Sequence, residues 1–135
     1  MKKAPLIARL ILGFIFFFFG LNGFFHFLSM PPLSEEVQKF FSGLMVTRYF
    51  LPFLSGVQVL CGLLLLIGIF VPLALVVLAP VVTHIFLFHI FLDPKGLPLA
   101  IVVGLLELYL AFFAAPYSEI VKKIFRRPQK EALAA

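Results

Sequence analysis

The chain predicts an all-α integral membrane protein: a four-helix bundle with both termini in the cytoplasm and a short interfacial helix between helices one and two. Three observations carry this expectation. Hydrophobic residues make up 63% of the 135 residues and charged residues only 13%, with a mean hydropathy of +1.16. So few charges cannot cover the surface of a soluble domain of this size. Four apolar runs also recur along the chain, each long enough to cross a hydrocarbon core about 30 Å thick. Finally, the basic residues gather at the two ends. Lys2, Lys3, Arg9, Lys122, Lys123, Arg126, Arg127 and Lys130 lie on the side of the termini, whereas Lys39, Arg48 and Lys95 fall on the other. Four spans put both ends on one side, and the positive-inside rule makes that side cytoplasmic.

Residues 6–28 predict the first helix. It begins after Lys2 and Lys3 as a signal peptide would, but its apolar stretch is too long. Ser29-Met30-Pro31-Pro32 offers no small-residue cleavage site, so the expectation is an uncleaved span. Pro31 and Pro32 stop it. Residues 34–44 predict a short helix on the outer surface or capping the bundle. Ser34 serves as N-cap, and Glu35 and Glu36 sit at the positive end of the helix dipole. Val37, Phe40, Phe41 and Leu44 form its apolar edge.

Residues 49–69 form the second span and residues 72–92 the third. The turn between them, Phe70-Val71-Pro72, is so short that the two must be antiparallel neighbours. Pro80 marks a kink in the third span. Asp93-Pro94-Lys95-Gly96 is a turn, and residues 97–115 form the fourth span. The expected division is a four-helix transmembrane domain over residues 1–115 and a basic cytoplasmic tail over residues 116–135. Within the tail, residues 117–125 have the pattern of an amphipathic helix on the membrane surface.

The formal charge of +5 could suggest nucleic acid. The clustering of that charge beside apolar helices fits topology and anionic lipid headgroups instead, so membrane lipids are the expected partners and nucleic acid is not. Cys61 is the single cysteine, which excludes an internal disulfide and any CxxC relay. It reads as a small buried hydrophobe. The 19 Phe crowd the first span and are expected between helices or against lipid.

The most informative residue is Glu107. It lies near the middle of the fourth span, about 15 Å from the outer boundary at 1.5 Å per residue. A carboxyl group at that depth costs about 3 kcal/mol and is found where it faces a bundle interior, a partner or a water-filled cavity. The other spans bring polar groups to the same half of the membrane. Gln58 and His84 lie about 12–14 Å in by the same count. Asn22 is shallower, and His26 and His89 sit near the outer interface. Asn22 and His26 share a face, as do Ser55, Gln58 and Gly62. Gly104, Glu107 and Ala111 share one on the fourth span, where the two small residues are expected to let a neighbour approach closely. These polar groups either satisfy one another across the bundle or line a cavity. A Glu107–His84 pair would suit a site that binds a quinone carbonyl, relays protons or holds a polar lipid head.

The first span carries Arg9, Leu12-Gly13, Phe17 and Gly20, and the second the run from Gln58 through Cys61-Gly62 to Gly68. Together these resemble the DoxX family of small four-helix bacterial membrane proteins: the first set is similar to the family's Arg-x-x-Leu-Gly opening and its later glycine, and the second to the family's acid followed by glycines and leucines. The likeness extends over about the first four fifths of the chain. Two positions depart from the family: Gln58 stands where Glu is usual, and Gly23 where Lys is frequent. A charged pair typical of relatives is therefore missing, and Glu107 is left as an acid for the site. The resemblance implies a multi-pass protein of the bacterial cytoplasmic (inner) membrane. It also implies a redox setting, since some relatives are subunits of a thiosulfate–quinone oxidoreductase and others belong to membrane complexes for oxidative stress. It fixes the fold more firmly than the chemistry.

The expected function is a quinone- or lipid-binding membrane subunit that works with a redox partner protein. Its ligand site would be lined by Asn22, His26, Gln58, His84 and Glu107, with quinone as the candidate cofactor. Three readings from other classes stand beside it. A small transporter or channel component would need a homo-oligomer, because four helices leave little room for a pore. A haem-binding electron-transfer protein would use His26 with His84 or His89, since His84 and His89 are about 140° apart around one helix. That reading requires a Soret band. A scaffold would dock an enzyme through the basic tail. No nucleophile paired with a base at helical spacing, phosphate-cradling loop or metal-ligand cluster is present in the sequence, so the chain reads as a membrane subunit more than a stand-alone enzyme.

Overall fold

The computed structural model describes residues 3–25 and 34–125. Six α-helices account for most of them: α1 (Lys3–Phe25), α2 (Glu35–Val46), α3 (Phe50–Ile67), α4 (Val71–Phe91), α5 (Leu97–Phe112) and α6 (Tyr117–Ile124). A single 3-10 turn, Pro94–Gly96, precedes α5. The described residues contain no strand.

Helices α1, α3, α4 and α5, the last together with its 3-10 turn, are long and apolar enough to cross a membrane. Within them only 22–28% of the residues are buried inside the protein. The outward faces are nevertheless apolar, with Phe14, Leu60, Leu73, Leu105 and Leu108 all exposed. Such a surface is stable against lipid and not against water.

The packing runs in a ring. α1 packs most extensively on α3, α3 meets α4, α4 lies along α5, and α5 returns to α1. Leu12, Phe16, Leu65, Leu75, Leu78 and Leu110 fill the centre, one or two from each of the four helices. The α1–α3 contact is the closest because glycines face each other there. A Cβ on Gly13 would stand 3.0 Å from the Gly62 carbonyl oxygen, and one on Gly20 would stand 2.8 Å from the Val59 amide nitrogen. Ser55 fills the space beside Gly23. The close approach between helices thus lies at seven-residue spacings on α1 and α3. It is not at Gly104, where a Cβ would meet nothing within 4 Å. The expectation that Gly104 admits a close neighbour is corrected: there the helices stand apart.

The connections follow the sequence signals. Ser34 caps α2 by accepting from the Val37 amide at 3.3 Å. α3 ends at Gly68, whose φ of +90° is a left-handed C-cap that costs glycine nothing. α4 runs through Pro80 without interruption. α5 ends at Phe112, three residues short of the expected boundary, and α6 follows after Pro116. α6 packs back on α4 and α5, burying Ser118 and Val121. Pro31, Pro32, Arg126, Arg127 and Lys130 lie outside the described residues.

Candidate functional site

Glu107 is 5% exposed. The burial follows from its register on α5, where Ala100, Val103, Glu107, Leu110 and Ala111 form the inward stripe. Helical spacing places the carboxyl in the same row as core residues. No donor among the described residues reaches its Oε1 atom, which is itself shielded from solvent. Cys61, buried on the diagonally placed α3, lies within electrostatic reach of it.

The carboxyl borders a groove of about 490 Å³, within the range of small-molecule sites. α4 and α5 form its two long walls, and α6 closes one end with Val121, Ile124 and Phe125. Gly104 and Ala111, the small residues on the Glu107 face, line it too. They hold the groove open because they leave the volume beside Glu107 unfilled. Thr83 adds a hydroxyl to the wall, but this hydroxyl donates to the Ala79 carbonyl of its own helix at 2.9 Å. Pro80 has no N–H to offer the carbonyl of Val76, another groove residue. Among the described residues no Lys, Arg or His borders the groove. The groove is open along one side, next to the exposed apolar residues Phe86, Leu105 and Leu108.

The remaining residues expected at the site lie elsewhere. His84 is exposed on α4 and borders a second, smaller pocket of about 120 Å³. There its ring stacks on Phe40 of α2, with centroids 5.9 Å apart. His89 borders the same pocket and its Nδ1 lies 3.0 Å from the Asp93 carbonyl oxygen. His84 and Glu107 therefore line separate pockets. Asn22 and Gln58 are half-buried on the α1 and α3 helices, and neither borders the groove. His26 lies outside the described residues. Among the described residues no cluster of His, Cys, Asp and Glu is placed to hold a metal ion.

Sequence reasoning did not single out α6 as part of a site. Its signal is present in the apolar spacing of Val121, Ile124 and Phe125, a pattern that by itself predicts a helix on the membrane surface. Nothing in the pattern said that the same face would turn to α4 and α5.

Four membrane-crossing helices around a central core define a multi-pass helical-bundle membrane protein. The chain belongs to the DoxX family, whose model matches residues 4–90. That span covers α1 to α4. It stops before α5 and α6, so the groove pairs one helix of the family-matched region with two beyond it. No curated protein and no solved structure matches the chain.

Proposed function

We propose that this DoxX-family protein binds a neutral amphiphile, of the quinone or neutral-lipid type, in the groove between α4, α5 and α6. It would act as a membrane subunit of a redox assembly in the bacterial cytoplasmic membrane. The observation that carries the reading is the buried carboxyl of Glu107, a groove-lining residue whose Oε1 has no partner among the described residues. A buried polar atom without a partner costs about 1–3 kcal/mol, and a ligand headgroup that hydrogen-bonds to it recovers that cost. A carboxyl group suits both members of a quinone pair. It can donate to a quinone carbonyl and accept from a quinol hydroxyl.

Charge argues for a neutral head. Among the described residues Glu107 is the only ionisable side chain on the wall, so no described cation would meet an incoming phosphate or fatty carboxylate. The open side admits a hydrophobic tail directly from the bilayer. The redox assembly is supported by the resemblance to relatives that serve quinone-linked oxidoreductases.

The test is native mass spectrometry with quinone and lipid extraction on protein purified in mild detergent. A stoichiometric quinone or neutral lipid in the wild type, lost in Glu107→Gln, is expected. A ligand-free wild type, or a ligand held equally by Glu107→Gln, would sink the reading. An anionic phospholipid as the bound species would overturn the charge argument.

A further inference from the structure

Arg9 belongs to α1, no residue of which lines the groove. Its Nη1 donates to the Tyr117 hydroxyl at 3.1 Å. Tyr117 is the first residue of α6 and packs against the central core. The guanidinium is seated over Gly68, the left-handed residue that ends α3, where any Cβ would run into it. That seat sets a cation beside the negative end of the α3 dipole. Arg9 Nε is buried there with no acceptor among the described residues. Helix α1, the end of α3 and the start of α6 thus converge on one side chain.

α6 needs such a tie. At eight residues it is too short to hold a helical shape without tertiary contacts. It buries only Ser118 and Val121, yet Val121, Ile124 and Phe125 close one end of the groove. Its exposed face carries Lys122 and Lys123, which prefer water and headgroups to the protein. Packing alone gives α6 a small anchor, and the hydrogen bond from Arg9 fixes its first residue.

We infer that Arg9 and Tyr117 are positioning residues for the groove, holding α6 in place as its end wall. The inference rests on the reading of the groove as a ligand site. Neither residue touches the ligand. Loss of the tie lets α6 move outward, so a bound amphiphile loses three wall residues on one side and leaves faster.

The experiment places a nitroxide label at Lys123→Cys, an exposed position that does not border the groove. Full-length protein in phosphatidylcholine nanodiscs is compared with and without Tyr117→Phe, which keeps the ring and removes only the hydroxyl. Arg9→Gln and Arg9→Lys are measured alongside. Retention of a short-chain ubiquinone and the thermal unfolding midpoint are followed in each variant. Label mobility is expected to rise in Tyr117→Phe and Arg9→Gln. Ubiquinone retention is expected to fall several-fold with the unfolding midpoint near that of the wild type. Arg9→Lys, which still offers a donor, recovers part of both. An unchanged spectrum in Tyr117→Phe overturns the inference, whatever retention does. So does a collapse of the unfolding midpoint, which would make the bond a general support of the fold. If the wild type takes up no ubiquinone, the ligand reading of the groove fails, and the spectra still decide whether the tie positions α6.

Discussion

Gly62 lies so close to Phe17 that a Cβ added to it would stand 2.5 Å from the Phe17 amide nitrogen and 2.8 Å from the Gly13 carbonyl oxygen. The backbones of α1 and α3 therefore touch. In lipid no hydrophobic force draws helices together, so direct van der Waals contact between small residues carries much of the association. The tight α1–α3 pair contrasts with the α4–α5 pair, which stands open around Gly104.

Gly62→Ala should destabilise the bundle by about 1–3 kcal/mol, because the new methyl group meets backbone that cannot rotate away. Gly104→Ala should change stability by no more than about 1 kcal/mol, since its methyl group enters open space. Unfolding in mild detergent, followed by circular dichroism, compares the two. Equal losses would mean that the glycine contact does not hold α1 to α3.

Glu107→Leu should stabilise the ligand-free protein by about 1–3 kcal/mol, because it removes a buried oxygen that has no partner among the described residues. The same substitution should abolish quinone retention. Stability and binding then move in opposite directions, as expected where a polar group is kept for a ligand. A destabilised Glu107→Leu protein would show that the carboxyl supports the fold and would remove the motive for the groove reading.

Phe40 joins α2 to α4 through two ring contacts, 5.3 Å from Phe88 and 5.9 Å from His84 between centroids. Phe40→Ala should weaken the docking of α2 by about 1–2 kcal/mol, seen as faster amide exchange confined to α2. His84→Ala should act in the same direction and more weakly. Neither should alter quinone retention, because both residues lie at the smaller pocket. If His84→Ala reduced retention as much as Glu107→Gln, the two pockets would have to act as one site.

Much of the fold was legible in the chain because lipid imposes a simple rule: a spanning segment must be apolar and must satisfy its own backbone. That rule located four spans, and Ser34 marked the start of α2, which it caps. Glu107 was legible for the same reason, since a carboxyl in an apolar run calls for an explanation. Its surroundings were less so. His84 and Glu107 lie at similar depths, and depth follows from counting residues. The rotation of each helix about its axis does not, because a segment apolar on every side has no periodicity to set its facing. The expected five-residue site rested on a shared half of the membrane and on shared helix faces, and neither says which neighbour a face meets. The structure places Glu107 at one pocket and His84 at another, and α6 supplies the residues that the first site needs.

By itself the sequence determined the number of spans, the membrane setting, the α2 cap and the presence of one costly buried acid. All of these follow from local composition and from one-dimensional spacing. The tertiary structure decided that α1 and α3 touch through glycines, that α4 and α5 part around Gly104 and Glu107, and that Arg9 meets Tyr117 from 108 residues away. These depend on how apolar surfaces of nearly uniform hydropathy fit by shape. Van der Waals packing is settled only when all the helices are in contact at once.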